Sequence, residues 1–239
     1  MSETFKFPTE IVELPSKGLV YPEDHPLKEG KVEIKYMTAK EEDILTNQNY
    51  IDKGTVLDKL LESLVVTKID LKDICTGDKN AILIACRILG YGKNYNFTYD
   101  GEEYSVDLSS FDNKDIDEKT LLQGQNIKFT LPSSENEVTF KILTEKDEEN
   151  IEKEITGMSK FKAGGVVTTR LKHTITSVNG ESDHNKIKDF VENYLLASDA
   201  KALREYIKEV SPGVDMTFND GEKDIDLPIT LTFFWPELG

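Results

Sequence analysis

The sequence has little of the chemistry that builds metal, redox or disulfide sites. Its 239 residues include only two cysteines and three histidines. His25, His173 and His184 are far apart, and no Cys-x-x-Cys pair occurs, which argues against a zinc site. Cys75 and Cys86 are eleven positions apart, about 16 Å along a helix, which is too far for a disulfide. We therefore predict two free core thiols and no cofactor.

Long apolar runs and an excess of basic residues are also missing. No stretch approaches the eighteen or so consecutive apolar residues of a membrane span, and the start, MSETFKFPTE, lacks the features of a secretory signal. Forty-five acidic side chains against 29 basic ones give a net charge of -16. The electrostatic field of this net negative charge repels the phosphate backbone of nucleic acids. We expect a cytoplasmic protein with no membrane span and no nucleic-acid partner.

Motifs of familiar enzymes are absent from the sequence. It has no nucleophile elbow, Walker loop or dinucleotide fingerprint. Carboxylates are so abundant that a paired Asp/Glu hydrolytic site stays open on the residues alone. The triplet Glu41-Glu42-Asp43 is better explained as the first turn of a helix, where negative charge complements the helix dipole. We predict no enzymatic activity and no catalytic residues.

One pattern occurs twice in the chain. Residues 32–45, VEIKYMTAKEEDIL, alternate as a strand and then supply Thr38 and Glu41, a helix capping box. VTFKILTEKDEENI repeats this pattern 106 positions later. Other pairs follow in the same order, among them Leu14-Pro15-Ser16 with Leu131-Pro132-Ser133, Asp78 with Asp199, and Asp100-Gly101-Glu102 with Asp220-Gly221-Glu222. Colinear repetition predicts an internal duplication.

The duplication defines the predicted domains and an α+β fold class. We expect a Pro-rich extended arm at 1–31, a first repeat unit at 32–111, an acidic connector at 112–130 and a second repeat unit at 131–239. Each unit reads as a strand, several helices and a β-hairpin with an Asp-Gly turn. Predicted helices occupy 38–48, 55–65, 78–90, 144–157, 167–176, 184–197 and 199–210. Residues 100–118 carry eight acids against one lysine, which indicates either a solvated linker or an interaction patch.

Two segments are candidates for contacts with other proteins. The prolines of the arm exclude a regular helix and favour an extended chain that presents its side chains. The carboxyl-terminal stretch ITLTFFWPEL alternates as a strand, with one face on the body of the protein and the other covered either by this chain or by a neighbouring subunit. The partner-binding candidates are Leu14, Lys17, Leu19, Tyr21, Phe233, Phe234 and Trp235.

Six ordered segments resemble a known family. They are LPSKGLVYP (14–22), YMTAKEEDILT (36–46), KGTVLDKLL (53–61), GDKNAILIACRILGYG (77–92), VTTRLKHTIT (167–176) and ITLTFFWP (229–236). In this order and spacing they are similar to the base plate protein family of T4-like contractile-tailed phages, over nearly the whole chain. The resemblance implies a noncatalytic structural subunit of the central hub of the tail baseplate, which binds other hub or tail proteins. Such a subunit occupies the host cytoplasm during assembly and then the virion.

The resemblance leaves two alternatives open. A transient hub-assembly chaperone would be absent from the mature virion, and a peptidoglycan-cleaving hub component would use unrecognised carboxylates. In relatives we would expect some hairpin turns to carry zinc-binding Cys-x-x-Cys knuckles. Here the turns read TYDGEEY and FNDGEKD, without cysteine, so we expect this chain to fold without zinc.

Overall fold

The structure, a computed structural model, describes residues 8–159 and 165–234. Within these ranges the chain combines short antiparallel sheets with α-helices, so the predicted α+β class is confirmed. The strands are β1 Thr9–Glu13, β2 Lys31–Lys35, β3 Asn94–Tyr99, β4 Glu102–Asp107, β5 Ile127–Thr130, β6 Glu137–Phe140, β7 Ile175–Val178, β8 Thr217–Asn219 and β9 Asp224–Asp226. The helices are α1 Ala39–Leu45, α2 Gln48–Asp52, α3 Val56–Leu64, α4 Thr76–Tyr91, α5 Glu118–Leu122, α6 Glu145–Ser159, α7 Val166–Thr174, α8 His184–Asp189, α9 Ala197–Val210 and α10 Leu231–Phe234. None of the described helices is both long and apolar enough to cross a membrane.

Each half of the chain begins with a small antiparallel sheet. β1 pairs antiparallel with β2, and after α3 the chain returns so that Val65 bridges Ile34 of β2. In the second half β5, β6 and β7 form one sheet, in which Phe140 of β6 pairs with Ile175 of β7. Ile34 and Phe140 are both fully buried. Ile34 and Phe140, 106 residues apart, are therefore both buried and both paired on two sides.

A buried carboxylate caps the first helix after β2. The backbone N–H of Thr38 donates to Glu41 Oε2 over 2.8 Å, and the Lys35 ammonium and the Ser63 hydroxyl donate to Glu41 Oε1 over 3.0 and 2.6 Å. Burial alone would raise the pKa of Glu41, but the hydrogen bonds from Ser63, Thr38 and Lys35 lower it to about 2. The predicted capping box is confirmed, and Glu41 is a structural anion.

The second half repeats this arrangement with aspartate. The Thr144 N–H donates to Asp147 Oδ2 over 3.1 Å, and the Lys141 ammonium donates to Asp147 Oδ1 over 2.6 Å. Burial opposes the shift, yet the bonds from Lys141 and Thr144 lower the pKa of Asp147. The acidic residues that follow each threonine thus join a strand end to a helix start.

The two halves interlock at the start of α4. The backbones of Cys75 and Thr144 form an isolated antiparallel β-bridge, and the Glu145 N–H donates to the carbonyl of Ile74 over 2.9 Å. Gly77 lies so close to the end of α9 that a Cβ on it would be 1.7 Å from the carbonyl oxygen of Pro212. This close packing admits only glycine without a shift of the backbone.

The two hairpins pack on each other through aromatic rings. Asp100 and Gly101 have φ angles of 51° and 86° in a two-residue turn between β3 and β4, as the Asp-Gly sequence predicts. In the second hairpin Asn219 pairs with Asp224, so the loop has four residues instead of the tight turn we predicted. The Phe218 ring packs edge-on against the Phe97 ring, with 5.8 Å between the ring centroids.

Two predicted boundaries cut through hairpins. Residues 9–13 of the expected extended arm form β1, and residues 14–30 fold into turns against the core. Prolines excluded a helix there, but Pro8 and Pro15 leave room for a five-residue strand between them. The expected connector at 112–130 contains α5 and β5, because its acidic run gives way to the alternating Ile127 and Phe129.

The carboxyl-terminal strand prediction is wrong for the described residues. Leu231–Phe234 is a short helix, and the Phe233 N–H donates to the carbonyl of Thr230 over 3.1 Å. A short apolar run satisfies the strand period and one turn of helix equally well, so burial decides between them.

Candidate partner-binding surface

Two arm candidates anchor the arm inside the protein. Leu14 is 2% exposed and Tyr21 is 6% exposed. The Ser16 N–H and hydroxyl donate to the two carboxylate oxygens of Asp78 over 2.9 and 2.6 Å, and the Tyr21 hydroxyl donates to Asp78 Oδ2 over 2.7 Å. Asp78 is fully buried in the first turn of α4. Neither Leu14 nor Tyr21 is therefore available to a partner.

The same buried cluster contains one of the two thiols. The Cys75 N–H donates to the Tyr21 hydroxyl oxygen over 3.1 Å. Burial raises the pKa of the Cys75 thiol and of the Tyr21 hydroxyl far above their ordinary values. Both groups are therefore neutral at pH 7, and Cys75 and Cys86 are free and buried, as predicted.

The second half contains an equivalent anchor. The N–H groups of Ser133 and Ser134 donate to the two oxygens of Asp199 over 2.7 and 3.0 Å. Burial opposes ionisation, but these serine bonds lower the pKa of Asp199. The residues that the sequence pairs by colinearity, Ser16 with Ser133 and Asp78 with Asp199, make equivalent contacts. The anchor belongs to the scaffold of both halves.

Lys17 is the exposed member of the arm candidates. Its backbone adopts φ 51° beside Gly18, and its ammonium lies 2.7 Å from Glu118 of α5. Leu122, one turn further along α5, is 60% exposed, whereas Leu19 is partly buried. The turn at Lys17 and the acidic connector thus lie side by side on the surface. The ion pair between Lys17 and Glu118 is exposed and contributes little stability.

The carboxyl-terminal candidates lie in the core. Phe233 and Phe234 are 0% and 2% exposed. Arg87 Nε donates to the Phe233 carbonyl over 3.1 Å, and the Tyr95 ring lies 5.1 Å from the Phe233 ring. The interpretation of these two rings as partner contacts is not supported, because this chain covers them itself. Trp235 lies outside the described residues.

The structure instead brings together an exposed row that the sequence did not show. Ile11 of β1 pairs with Glu33 of β2, and the Glu33 carbonyl accepts from the Val66 N–H over 2.9 Å. Ile34 next to Glu33 points into the core, so Ile11, Glu33 and Val66 share the outer face of the sheet. Ile11 is 63% exposed and Val66 is 45% exposed. We call these three residues the Glu33 face.

The two lysines that flank Glu33 on β2 are already paired, but the Glu33 carboxylate is not. Lys31 lies 3.5 Å from Glu13, and Lys35 lies 3.0 Å from Glu41. Among the described residues the partly buried Glu33 carboxylate has no ion-pair or hydrogen-bond partner. The face therefore presents an uncompensated negative charge between two apolar side chains.

The equivalent row of the second half is polar. Lys128 pairs with Thr139 across β5 and β6, and Thr139 pairs with Ser177 of β7. The Lys128 ammonium forms an ion pair with Glu137 Oε1 at 2.9 Å. The alternation in β2 does predict that Glu33 points outward, but the juxtaposition with Ile11 and Val66 depends on pairing between distant segments. At this place the second half has polar residues, of which Thr139 is buried, whereas the first half exposes Ile11 and Val66.

One cleft lies between the two halves of the chain. The cleft beside Gly77 has a volume of about 410 Å³ and is lined mainly by apolar side chains. Arg170 at its edge donates to both oxygens of Glu148 over 2.8 Å, so its charge is compensated. No group of three His, Cys, Asp or Glu residues suited to a metal ion occurs in the described ranges.

The chain matches no protein-family model, no curated protein and no solved structure with which it was compared.

Proposed function

We propose that the protein is a noncatalytic structural subunit of a phage tail baseplate hub that acts by binding other hub or tail proteins. The observation that carries this proposal is the Glu33 face. Ile11 and Val66 flank Glu33 as adjacent exposed apolar side chains, which suits a contact surface, and the polar row at Lys128, Thr139 and Ser177 makes their exposure unnecessary for folding. The resemblance of six ordered segments to the base plate protein family suggests which assembly is involved.

The use of the reactive side chains supports a noncatalytic role. Cys75, Tyr21 and Asp78 are engaged in one buried anchor, and Glu41 caps a helix. These groups stabilise backbone turns and helix starts, and all four side chains are buried, with Tyr21 and Cys75 at the wall of a cleft of about 300 Å³. The acidic charge of -16 also favours protein partners over nucleic acid.

Quantitative mass spectrometry of purified virions tests the proposal. A structural subunit should occur at a fixed number of copies per tail, and this number should survive a high-salt wash of the particles. A chain that is abundant in infected cells but absent from purified particles would overturn the proposal in favour of a transient hub-assembly chaperone. Release of fragments from purified peptidoglycan would overturn the noncatalytic part of the proposal.

A further inference from the structure

We infer that the Glu33 face receives a basic side chain, an arginine or a lysine, from an extended segment of a partner protein. This inference rests on the proposed function, because it names the kind of partner that the subunit binds. The first reason is shape and polarity. Ile11 of β1 and Val66, which follows the bridge residue Val65, lie on either side of Glu33, at the spacing of about 4.8 Å between paired segments. The aliphatic stem of an arginine or lysine can pack along such apolar walls while its charged end meets the carboxylate.

The second reason is charge. Lys31 and Lys35, the basic neighbours of Glu33 on β2, are engaged by Glu13 and Glu41. The Glu33 carboxylate is partly buried and has no partner among the described residues, so an incoming cation would interact with it more strongly than with a fully hydrated acid. The net charge of -16 adds a long-range field that attracts basic partners and speeds their encounter.

The third reason is the free side of the sheet. Within the described residues β1 pairs only with β2. An extended segment that adds beside β1 would place alternate side chains next to Ile11, on the same face as Glu33. Glu13, on the same face of β1 as Ile11, is already paired with Lys31, so Glu33 is the acid of this face that remains for the incoming cation.

A symmetric pair of copies of this chain is the weaker occupant. In a twofold contact the same patch faces itself, so the two Glu33 carboxylates would oppose each other while Lys31 and Lys35 beside them are already paired. Like charges placed directly opposite each other destabilise such a contact. The geometry therefore favours a different protein with the complementary charge.

A peptide titration of the isotope-labelled full chain tests the inference. The probe is a seven-residue peptide of alternating threonine and valine with arginine at its centre, and the comparison peptide carries the neutral isostere citrulline there. We expect the arginine peptide to shift the amide resonances of Ile11, Glu33 and Val66 and to bind about tenfold more tightly, the gain of one charge-assisted contact. Glu33→Gln should remove this difference.

Two further variants serve as controls. Glu137→Gln removes an exposed acid beside the equivalent row of the second half and should leave the arginine preference unchanged. Ile11→Lys copies Lys128 of the second half, so it should abolish peptide binding at an unchanged melting temperature. The melting temperatures of all variants show whether a loss of binding reflects loss of the fold.

Several results would overturn the inference. These are equal binding of the two peptides, an arginine preference that persists in Glu33→Gln, absence of shifts at the Glu33 face in millimolar peptide, or a dimer in sedimentation that Ile11→Lys dissociates. The last result would assign the face to a second copy of the chain. If the peptide tests fail but the chain is present in purified virions, only the inference of a basic partner is refuted. If the chain is absent from virions, the proposed function itself is refuted.

Discussion

Replacement of Gly77 by alanine should push apart the start of α4 and the segment that follows α9. The added Cβ would lie 1.7 Å from the carbonyl oxygen and 2.5 Å from the carbonyl carbon of Pro212. Both are backbone atoms, so no side-chain rotation can make room. Clearance of the oxygen requires a movement of about 1.5 Å between the start of α4 and the end of α9, in a region packed at ordinary interior density.

The expected cost follows from that movement. Overpacking of a well-filled interior costs about 1–3 kcal/mol. The shift also strains the bond in which the Lys114 N–H donates to the Gly213 carbonyl over 2.9 Å, and a bond of this kind contributes about 1 kcal/mol. The better helix propensity of alanine returns less than about 1 kcal/mol at this first turn. We therefore expect Gly77→Ala to lower the free energy of unfolding by about 2–3 kcal/mol.

Urea denaturation of the full chain measures this loss. With a slope of about 3 kcal/mol per molar urea, the midpoint should fall by about 1 M. Gly157→Ala is the matched control, because its Cβ would meet nothing within 4 Å in α6 and should raise stability by up to about 1 kcal/mol. If Gly77→Ala raised the midpoint as Gly157→Ala does, the close interlock of the halves would be refuted.

Three other predictions concern the caps and the arm. The Glu41 carboxylate, with its pKa lowered from 4.5 to about 2, should stabilise the fold by on the order of 2–3 kcal/mol above pH 4.5 and lose this effect as the pH falls toward 2. The urea midpoints of wild type and Glu41→Gln should therefore converge in acid, and a constant difference would contradict the cap. Tyr21→Phe should lower the free energy of unfolding by about 1–3 kcal/mol, against less than 1 for Lys17→Ala, and equal values would argue against the buried anchor. Deletion of residues 1–30 should abolish cooperative thermal unfolding, since it removes half of a hairpin, and a truncated chain that melts like wild type would show that the arm is dispensable.

Local signals in the sequence predicted much of the secondary structure. Thr38 and Glu41 form the expected capping box, and Asp100-Gly101 forms the expected tight turn. These features involve residues close in the chain, so their geometry follows from backbone chemistry without knowledge of the fold. Helix α2 was missed because its five residues, Gln48–Asp52, are too few to show a hydrophobic period.

The repeated pattern predicted more than local structure. Colinearity paired Asp78 with Asp199 and Ser16 with Ser133, and each aspartate accepts hydrogen bonds from the serine segment of its own half. The contacts at these colinear positions are equivalent, and the duplication itself stays a prediction. They also explain why the arm is folded, because the Leu-Pro-Ser turn within it is one partner of a buried carboxylate.

The sequence did not locate the partner surface, since exposure depends on long-range packing. Leu14 and Phe233 were candidates because large apolar side chains suit interfaces, but the same property suits a core. Ile11 and Val66 were not candidates, although the structure exposes both. Ile11 and Val66 lie next to Glu33 only because β1 and the segment after α3 pair with β2. No local sequence pattern predicts which residues of these distant segments pair.

Photo-cross-linking in assembled particles tests the central claim most directly, because it asks which half of the scaffold contacts another protein. A benzophenone side chain is placed at Ile11 in one preparation and at the equivalent Lys128 in another, and the particles are irradiated and digested. We predict that the group at Ile11 links to a different tail protein, at a peptide that contains arginine or lysine, and that the group at Lys128 does not. Cross-links from Lys128 with none from Ile11 would contradict the assignment of the partner surface to the first half.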